Sequence, residues 1–199
     1  MMRIVFATGN KGKLKEAGEI LGPEFEILSP EDVGIDGDIE ETGSTLEENS
    51  IIKAEYIYKR TGLDCFADDT GLEVDCLGGA PGVYSARYAS MDSHDFQANV
   101  IKLLSEMEKH PGEPRTARFR SVITLIWKGE KRFFEGVFSG SIAREQAGTG
   151  GFGYDCVFVS DACPDRTVAE LPISFKNEHS HRAKALREMA AWLKSEGCR

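Results

Sequence analysis

The sequence lacks any long uncharged apolar stretch. A membrane-crossing helix needs about 18 or more consecutive apolar residues, and no such run occurs, so we expect no membrane span. A basic and then apolar leader is also missing at the start. The sequence therefore predicts a cytoplasmic protein whose mature form begins near Met1.

The sequence also has fewer basic than acidic residues. The 24 lysines and arginines are outnumbered by 33 acidic residues, which gives a formal net charge of −9. Such a surface repels the phosphates of DNA and RNA, so no nucleic-acid partner is expected. A small phosphate ligand would instead need a local cationic pocket.

Several motifs that define known sites are missing. The five cysteines are odd in number and include no C-x-x-C pair, so we expect reduced thiols. His179 and His181 lack the i, i+4 spacing of a helical zinc pair, and no H-E-x-x-H occurs, so zinc is not expected. A Walker A loop is excluded because Leu14 stands where a Ser or Thr would meet magnesium.

What is present predicts a mixed α/β fold. The composition is 41% hydrophobic and 29% charged, as in folded globular proteins, and we treat residues 1–199 as a single domain. Apolar runs alternate with helical apolar spacing, and glycine-rich stretches separate them. Strands are predicted at 3–7, 26–29, 64–67, 118–127, 132–142 and 154–159, with one short strand within 71–82, and helices at 14–21, 45–61, 92–108 and 183–193.

The segment from Ala7 to Lys13 lies where the first strand passes into the first helix. Backbone N–H groups and the helix dipole can both face an anion at such a junction. Thr8 and Asn10 add short hydrogen-bonding side chains, and Lys13 adds a mobile cation. The alternative is a polar turn with solvated lysines, and the segment alone does not decide between them.

Carboxylates form a second candidate site. Asp68 and Asp69 follow an apolar strand, where they suit a divalent cation or a water that must lose a proton. Adjacent strand residues point to opposite faces, so we expect one role for each. The acids before the second helix are further candidate ligands for magnesium, or else a solvated surface; they are Asp36, Asp38, Glu40 and Glu41.

Two later stretches are also polar. Gly148 to Gly153 matches G-x-G-x-x-G, but a strand is predicted after it where a dinucleotide site needs a helix, so we reject that interpretation. Phe152 and Tyr154 either stack on a base or belong to the core. The segment from Lys176 to Arg182 precedes the last predicted helix and suits an anion or a carbonyl oxygen, or else it caps that helix.

Six strings occur in order along nearly the whole chain. They are Ala7-Thr8-Gly9-Asn10 with Lys13, Glu41-Thr42-Gly43 with Glu48-Asn49, Ala67 to Gly71, Gly78 to Arg87, Gly148 to Asp155, and Ser180-His181-Arg182. Together they resemble the inosine triphosphate pyrophosphatase (Ham1-like) family. The resemblance implies an elongated mixed central sheet flanked by helices, two lobes with an active-site cleft between them, and a homodimer. It also implies magnesium-dependent hydrolysis of ITP, dITP and XTP to the nucleoside monophosphate and pyrophosphate.

The resemblance also implies roles for individual residues. Asp69 would accept the proton of water and bind Mg²⁺ together with Glu41, with Glu40 and Asp68 as alternates. The remaining implied residues contact the substrate: Thr8, Gly9, Asn10, Lys11, Gly12, Lys13, Lys53 and Thr70, and around the base Phe152, Gly153, Tyr154, Asp155, Lys176, His181 and Arg182. The chain departs from the family pattern at Cys156, where proline is usual, and at His179, where an apolar residue is usual.

Overall fold

The computed structural model describes residues 1–91 and 95–197. Asp92, where the third predicted helix begins, and Cys198 lie outside the described residues. The described residues form seven strands and five α-helices, which confirms the α/β class. No described helix combines the length and the apolar character that a bilayer crossing needs.

The strands are β1 (Met2–Phe6), β2 (Phe25–Leu28), β3 (Cys65–Val74), β4 (Pro81–Gly82), β5 (Thr116–Trp127), β6 (Glu130–Ile142) and β7 (Phe158–Ser160). The helices are α1 (Lys11–Leu21), α2 (Leu46–Thr61), α3 (Phe96–Glu108), α4 (Ile173–His179) and α5 (His181–Gly197).

The strands form one mixed sheet in the order β2-β1-β3-β5-β6-β7, with β4 added to β3. Strand β1 runs parallel to β2 and β3, with Ile4 opposite Ile27 and Val5 opposite Cys65. Strands β4 and β7 pair antiparallel with β3 and β6. Strands β5 and β6, predicted at 118–127 and 132–142, are neighbours in the sheet and are separated by Lys128-Gly129.

The chain divides into two compact units. The first unit comprises Met1–Asp69, Ser121–Gly136 and Arg182–Arg199, and the second comprises Thr70–Arg120 and Val137–His181. The boundary falls inside strands β3, β5 and β6, so each of these strands supplies residues to both units.

The core of the first unit follows the alternation of side chains along a strand. Ile4, Phe6 and Phe66 are buried against α1 and α5, and the rings of Phe6 and Phe66 stack with centroids 4.3 Å apart. The residues between them, such as Val5 and Ala67, are buried on the side of α2. Because side chains alternate between the two faces of a strand, neighbouring residues of β1 and β3 pack against different helices.

The second unit has its own core. It joins the end of β3, helix α3 and the aromatic residues of β6 and β7, and its members include Leu72, Val74, Val100, Leu103, Met107, Phe138 and Phe158. Asn99 is fully buried here, and its Oδ1 accepts a hydrogen bond of 2.6 Å from the backbone N–H of Ala89.

Three local predictions were wrong. Strand β3 continues through the acidic pair to Val74, because buried cations compensate the aspartates inside the sheet. Residues 153–156 form a short 3₁₀ helix in place of a strand, because the Asp155 carboxylate accepts the backbone N–H of Phe152. Helix α4 was not predicted, since its seven residues carry no clear apolar period. As a result Lys176 lies within a helix, and His181 and Arg182 begin α5.

Candidate active site

The loop before α1 is organised by Asn10. Its Oδ1 caps the helix by accepting the backbone N–H groups of Gly12 and Lys13, at 2.9 and 3.1 Å. The N–H of Asn10 itself donates to Thr8 Oγ1 at 3.2 Å. Gly9, Lys11 and Gly12 are exposed. The loop is thus preformed, but two of the amides expected to face an anion already have an acceptor.

Lys13 is not the mobile cation that the sequence suggested. Its ammonium lies 2.5 Å from Asp68 Oδ1, and burial lowers its pKa even though the Asp68 carboxylate opposes that shift. Asp68 Oδ2 accepts the Nε–H of Arg182 at 2.6 Å, and Arg182 also pairs with Glu16 of α1. These four side chains form a buried ionic cluster in the first unit, which we call the Asp68 cluster.

Asp68 carries a charge that the fold favours. Burial alone would raise the pKa of this carboxyl, but Arg182 and Lys13 outweigh burial and hold the pKa well below its usual range. The same carboxylate raises the pKa of the Arg182 guanidinium, although burial opposes this shift. Both oxygens of Asp68 are therefore already bound to cationic donors.

Asp69 lies in a different cluster, as the alternation along β3 requires. Its Oδ1 accepts a hydrogen bond of 2.7 Å from the Lys53 ammonium, which also donates to Glu41 Oε1 at 2.8 Å. Burial raises the pKa of Asp69, and Glu41 adds to that shift, while Lys53 opposes it. Two carboxylates sharing one ammonium also raise the pKa of Lys53, in spite of its burial. We call these three residues the Asp69 cluster.

The donor set of the Asp69 cluster fits a hard divalent cation. Two carboxylates already converge on one cation, and Mg²⁺ is typically bound by one or two carboxylates, with waters and substrate phosphates completing its shell. The residues that the structure describes contain no group of three or more His, Cys, Asp or Glu side chains placed to hold a metal. Among the other predicted ligands, Glu40, Asp36 and Asp38 are exposed.

Hydrogen bonds fasten the surroundings of the Asp69 cluster. Thr45 caps α2, since its Oγ1 accepts the N–H of Glu48. The Glu48 carboxylate in turn accepts from the N–H and hydroxyl of Ser44. Further along α2, Ser50 Oγ donates to the backbone oxygen of Ala67, directly before the acidic pair. Helix α2 is thus tied both to residues 41–44, which we call the Glu41 segment, and to β3.

The predicted base-binding residues of the second unit share one carboxylate. Asp155 Oδ2 accepts the backbone N–H of Phe152 at 2.9 Å and the Lys176 ammonium at 2.7 Å. The same ammonium stands 4.2 Å from the centroid of the Phe152 ring, and that ring is half exposed. Gly151 has a φ of +70°, and a Cβ there would lie 2.1 Å from Asp155 Oδ2. This loop is therefore held closely in place.

The other predicted base contacts are more deeply buried. The hydroxyl of Tyr154 donates to the backbone oxygen of Ser85 at 2.8 Å, so its ring belongs to the core. The His181 ring stacks on Phe119 with centroids 5.1 Å apart. Thr70 and His181 belong to the second unit, and Arg182 belongs to the first. The substrate-binding and catalytic roles of all these residues stay predictions.

The site residues selected from the sequence did not include Glu16, which contacts Arg182, and Asn49, which contacts the Glu41 segment, was given no role. One signal was available, because each lies one helical turn from a residue that was selected. Glu16 follows Lys13 by three positions, and Asn49 precedes Lys53 by four, so each pair shares a helix face.

These parts define the class of the molecule as an α/β enzyme with buried acidic and cationic groups. A family model for the Ham1 family matches residues 4–192. A dITP/XTP pyrophosphatase from Geobacter sulfurreducens is 51% identical over 189 residues, which make up 94% of this chain and 94% of that protein. One from Christiangramia forsetii is 46% identical over 192 residues, covering 96% and 99% of the two chains.

A solved structure of a HAM1 protein from Coxiella burnetii matches with a TM-score of 0.90 at 40% identity, covering 98% of this chain and 100% of that one. The chain belongs to the Ham1 family.

Proposed function

We propose that the protein hydrolyses non-standard purine nucleoside triphosphates, namely ITP, dITP and XTP. Water attacks the α phosphorus, the bond between the α and β phosphates breaks, and a nucleoside monophosphate and pyrophosphate leave. Relatives named dITP/XTP pyrophosphatase support this substrate class. The observation that carries the proposal is the buried Asp69 carboxylate, hydrogen-bonded to a lysine that also binds a second carboxylate.

Asp69 is the proposed proton acceptor. A general base must take the proton of water as the oxygen bonds to phosphorus, and a carboxylate with a raised pKa does this better than an ordinary one. Asp68 is a poor alternative, because its pKa is lowered and both its oxygens already bind cations. The two neighbours thus suit different tasks, with Asp68 placing Lys13 and Asp69 accepting the proton.

Charge neutralisation is the other requirement of this reaction. We propose that Glu41 and Asp69 hold Mg²⁺, which would neutralise the triphosphate and its leaving group when bound. Lys13, Lys53 and the loop from Thr8 to Gly12 supply further donors for phosphate oxygens.

We propose that the second unit selects the base. Hypoxanthine and xanthine carry a 6-keto oxygen, and donors aimed at it would be left unpaired by the amino group of adenine. Lys176 and His181 are the proposed donors of this unit, and the half-exposed Phe152 ring offers a surface for stacking.

A panel of triphosphates with Mg²⁺ tests the proposal. We expect pyrophosphate from ITP, dITP and XTP, and far less from ATP, GTP and CTP. Asp69→Asn should abolish release while ITP binding is retained, whereas the exposed Asp161→Asn should behave as wild type. Equal rates across the panel would contradict purine selectivity. Orthophosphate as the product would contradict cleavage between the α and β phosphates. Unchanged turnover in Asp69→Asn would show that Asp69 is not the proton acceptor.

We also propose a cytoplasmic homodimer, on the strength of the family resemblance. Sedimentation velocity tests the dimer, because a single chain has a mass of 21.9 kDa and a dimer twice that. Cell fractionation tests the location.

A further inference from the structure

The segment that carries Glu41 has no regular secondary structure, yet it is bound to α2 at three points. Glu41 accepts from Lys53, the N–H of Gly43 donates to Asn49 Oδ1 at 2.8 Å, and Ser44 donates to Glu48. A loop carboxylate that must meet a metal needs such support, because sites of this kind tolerate only about 0.5 Å of displacement.

The contact between Gly43 and Asn49 leaves no room for a side chain at position 43. A Cβ on Gly43 would lie 2.6 Å from Asn49 Oδ1 and 2.9 Å from the Asn49 backbone nitrogen. No other side chain fits at this position without moving the loop off the helix. The backbone two residues after Glu41 is therefore held against α2 by one buried amide.

Asn49 is only 1% exposed, and it precedes Lys53 by one helical turn. Positions i and i+4 share a helix face, so one strip of α2 holds both the backbone and the side chain of the Glu41 segment. The Lys53 contact involves an ammonium that a metal or a phosphate would compete with. The Asn49 contact involves a backbone N–H and is independent of either.

We propose that Asn49 is a positioning residue that fixes Glu41 for binding of the divalent cation. This inference rests on the magnesium site proposed above. In this role Asn49 acts through its hydrogen bond from the N–H of Gly43. Loss of such outer hydrogen bonds costs about 10- to 100-fold in metal affinity in other proteins.

The test is Mn²⁺ binding to the nucleotide-free protein, followed by electron paramagnetic resonance. Asn49→Ala should weaken Mn²⁺ binding by about 10- to 100-fold and raise the Mg²⁺ concentration for half-maximal activity, with most of kcat restored at saturating Mg²⁺. Asn99→Ala is the matched control, because Asn99 is an equally buried asparagine that accepts a backbone N–H beside α3. It should lose stability while Mn²⁺ affinity stays unchanged.

Gly43→Ala perturbs the same contact from the other side and should reproduce the weakened Mn²⁺ binding, which keeps the test decisive if Asn49→Ala fails to fold. Wild-type Mn²⁺ affinity in the folded variants, with Glu41→Gln weakened, would overturn the role of Asn49. If neither the wild-type protein nor Glu41→Gln binds Mn²⁺ measurably, the magnesium site itself is refuted.

Discussion

The adjacent aspartates of β3 should respond oppositely when each is changed to asparagine. Asp68→Asn leaves Lys13 and Arg182 facing a neutral amide, and an amide offers only one acceptor oxygen where the carboxylate served both cations at 2.5 and 2.6 Å. Removing one partner of a buried ion pair costs about 3 to 5 kcal/mol. Arg182 retains Glu16, so we expect the lower end, a loss of about 3 kcal/mol in the free energy of unfolding.

Asp69→Asn should leave the free energy of unfolding unchanged or raise it. The fold raises the pKa of Asp69, so its ionised form is less favoured in the folded chain than in the unfolded chain, and Lys53 still has Glu41 after the change. Stability and activity therefore separate. We expect Asp68→Asn to destabilise the protein and Asp69→Asn mainly to remove pyrophosphate release.

Urea unfolding at pH 7 with a chelator measures both variants. Glu26→Gln serves as the control, because its pair with Arg3 is solvent-exposed and should contribute at most about 1 kcal/mol. Equal losses in the two aspartate variants, or a loss below about 1 kcal/mol in Asp68→Asn, would refute the division of roles.

The pH dependence follows from the lowered pKa of Asp68. Stability from a carboxyl with a lowered folded pKa is complete above its unfolded value, about 3.9, and is lost as the pH falls toward the folded value. The difference between wild type and Asp68→Asn should therefore shrink below about pH 4.

Two further changes test the second unit. Gly151→Ala adds a Cβ 2.1 Å from Asp155 Oδ2 at a residue whose own φ is +70°. We expect the free energy of unfolding to fall by about 1 to 3 kcal/mol and the KM for dITP to rise in steady-state kinetics. Gly112→Ala, at a φ of +92° in open space, should lose stability alone, and a KM change there would contradict the argument. Tyr154→Phe removes the hydrogen bond to Ser85 and should lower the free energy of unfolding by about 1 kcal/mol in urea, without altering kcat.

Much of the fold was predictable because its signals are local. The β-branched and aromatic runs of β1, β5 and β6 and the capped start of α2 lie where the sequence predicts them. Helix α4 was missed because seven residues contain too few turns to reveal a period. The end of β3 was misplaced because two charges inside a strand look like a surface until their partners are known.

Most residues of the Asp68 and Asp69 clusters could be selected from the sequence, but the ion pairs between them could not. Lys13 lies 55 residues before Asp68, and Arg182 lies 114 residues after it, and no local pattern links positions so far apart. For the same reason Lys13 was expected to be mobile although it is paired with Asp68.

Strand β3 makes the molecule sensitive to a change of length at one place. Inserting or deleting a single residue before the acidic pair would shift Asp69 to the face of Lys13 and Arg182 and replace it opposite Lys53 with a neighbour. Which cations each acid contacts therefore depends on the alternation of side chains along the strand. Substitutions at surface loops leave that alternation intact, whereas a one-codon insertion or deletion in the first half of β3 would place Asp69, the proposed proton acceptor, on the face where Asp68 now binds Lys13 and Arg182.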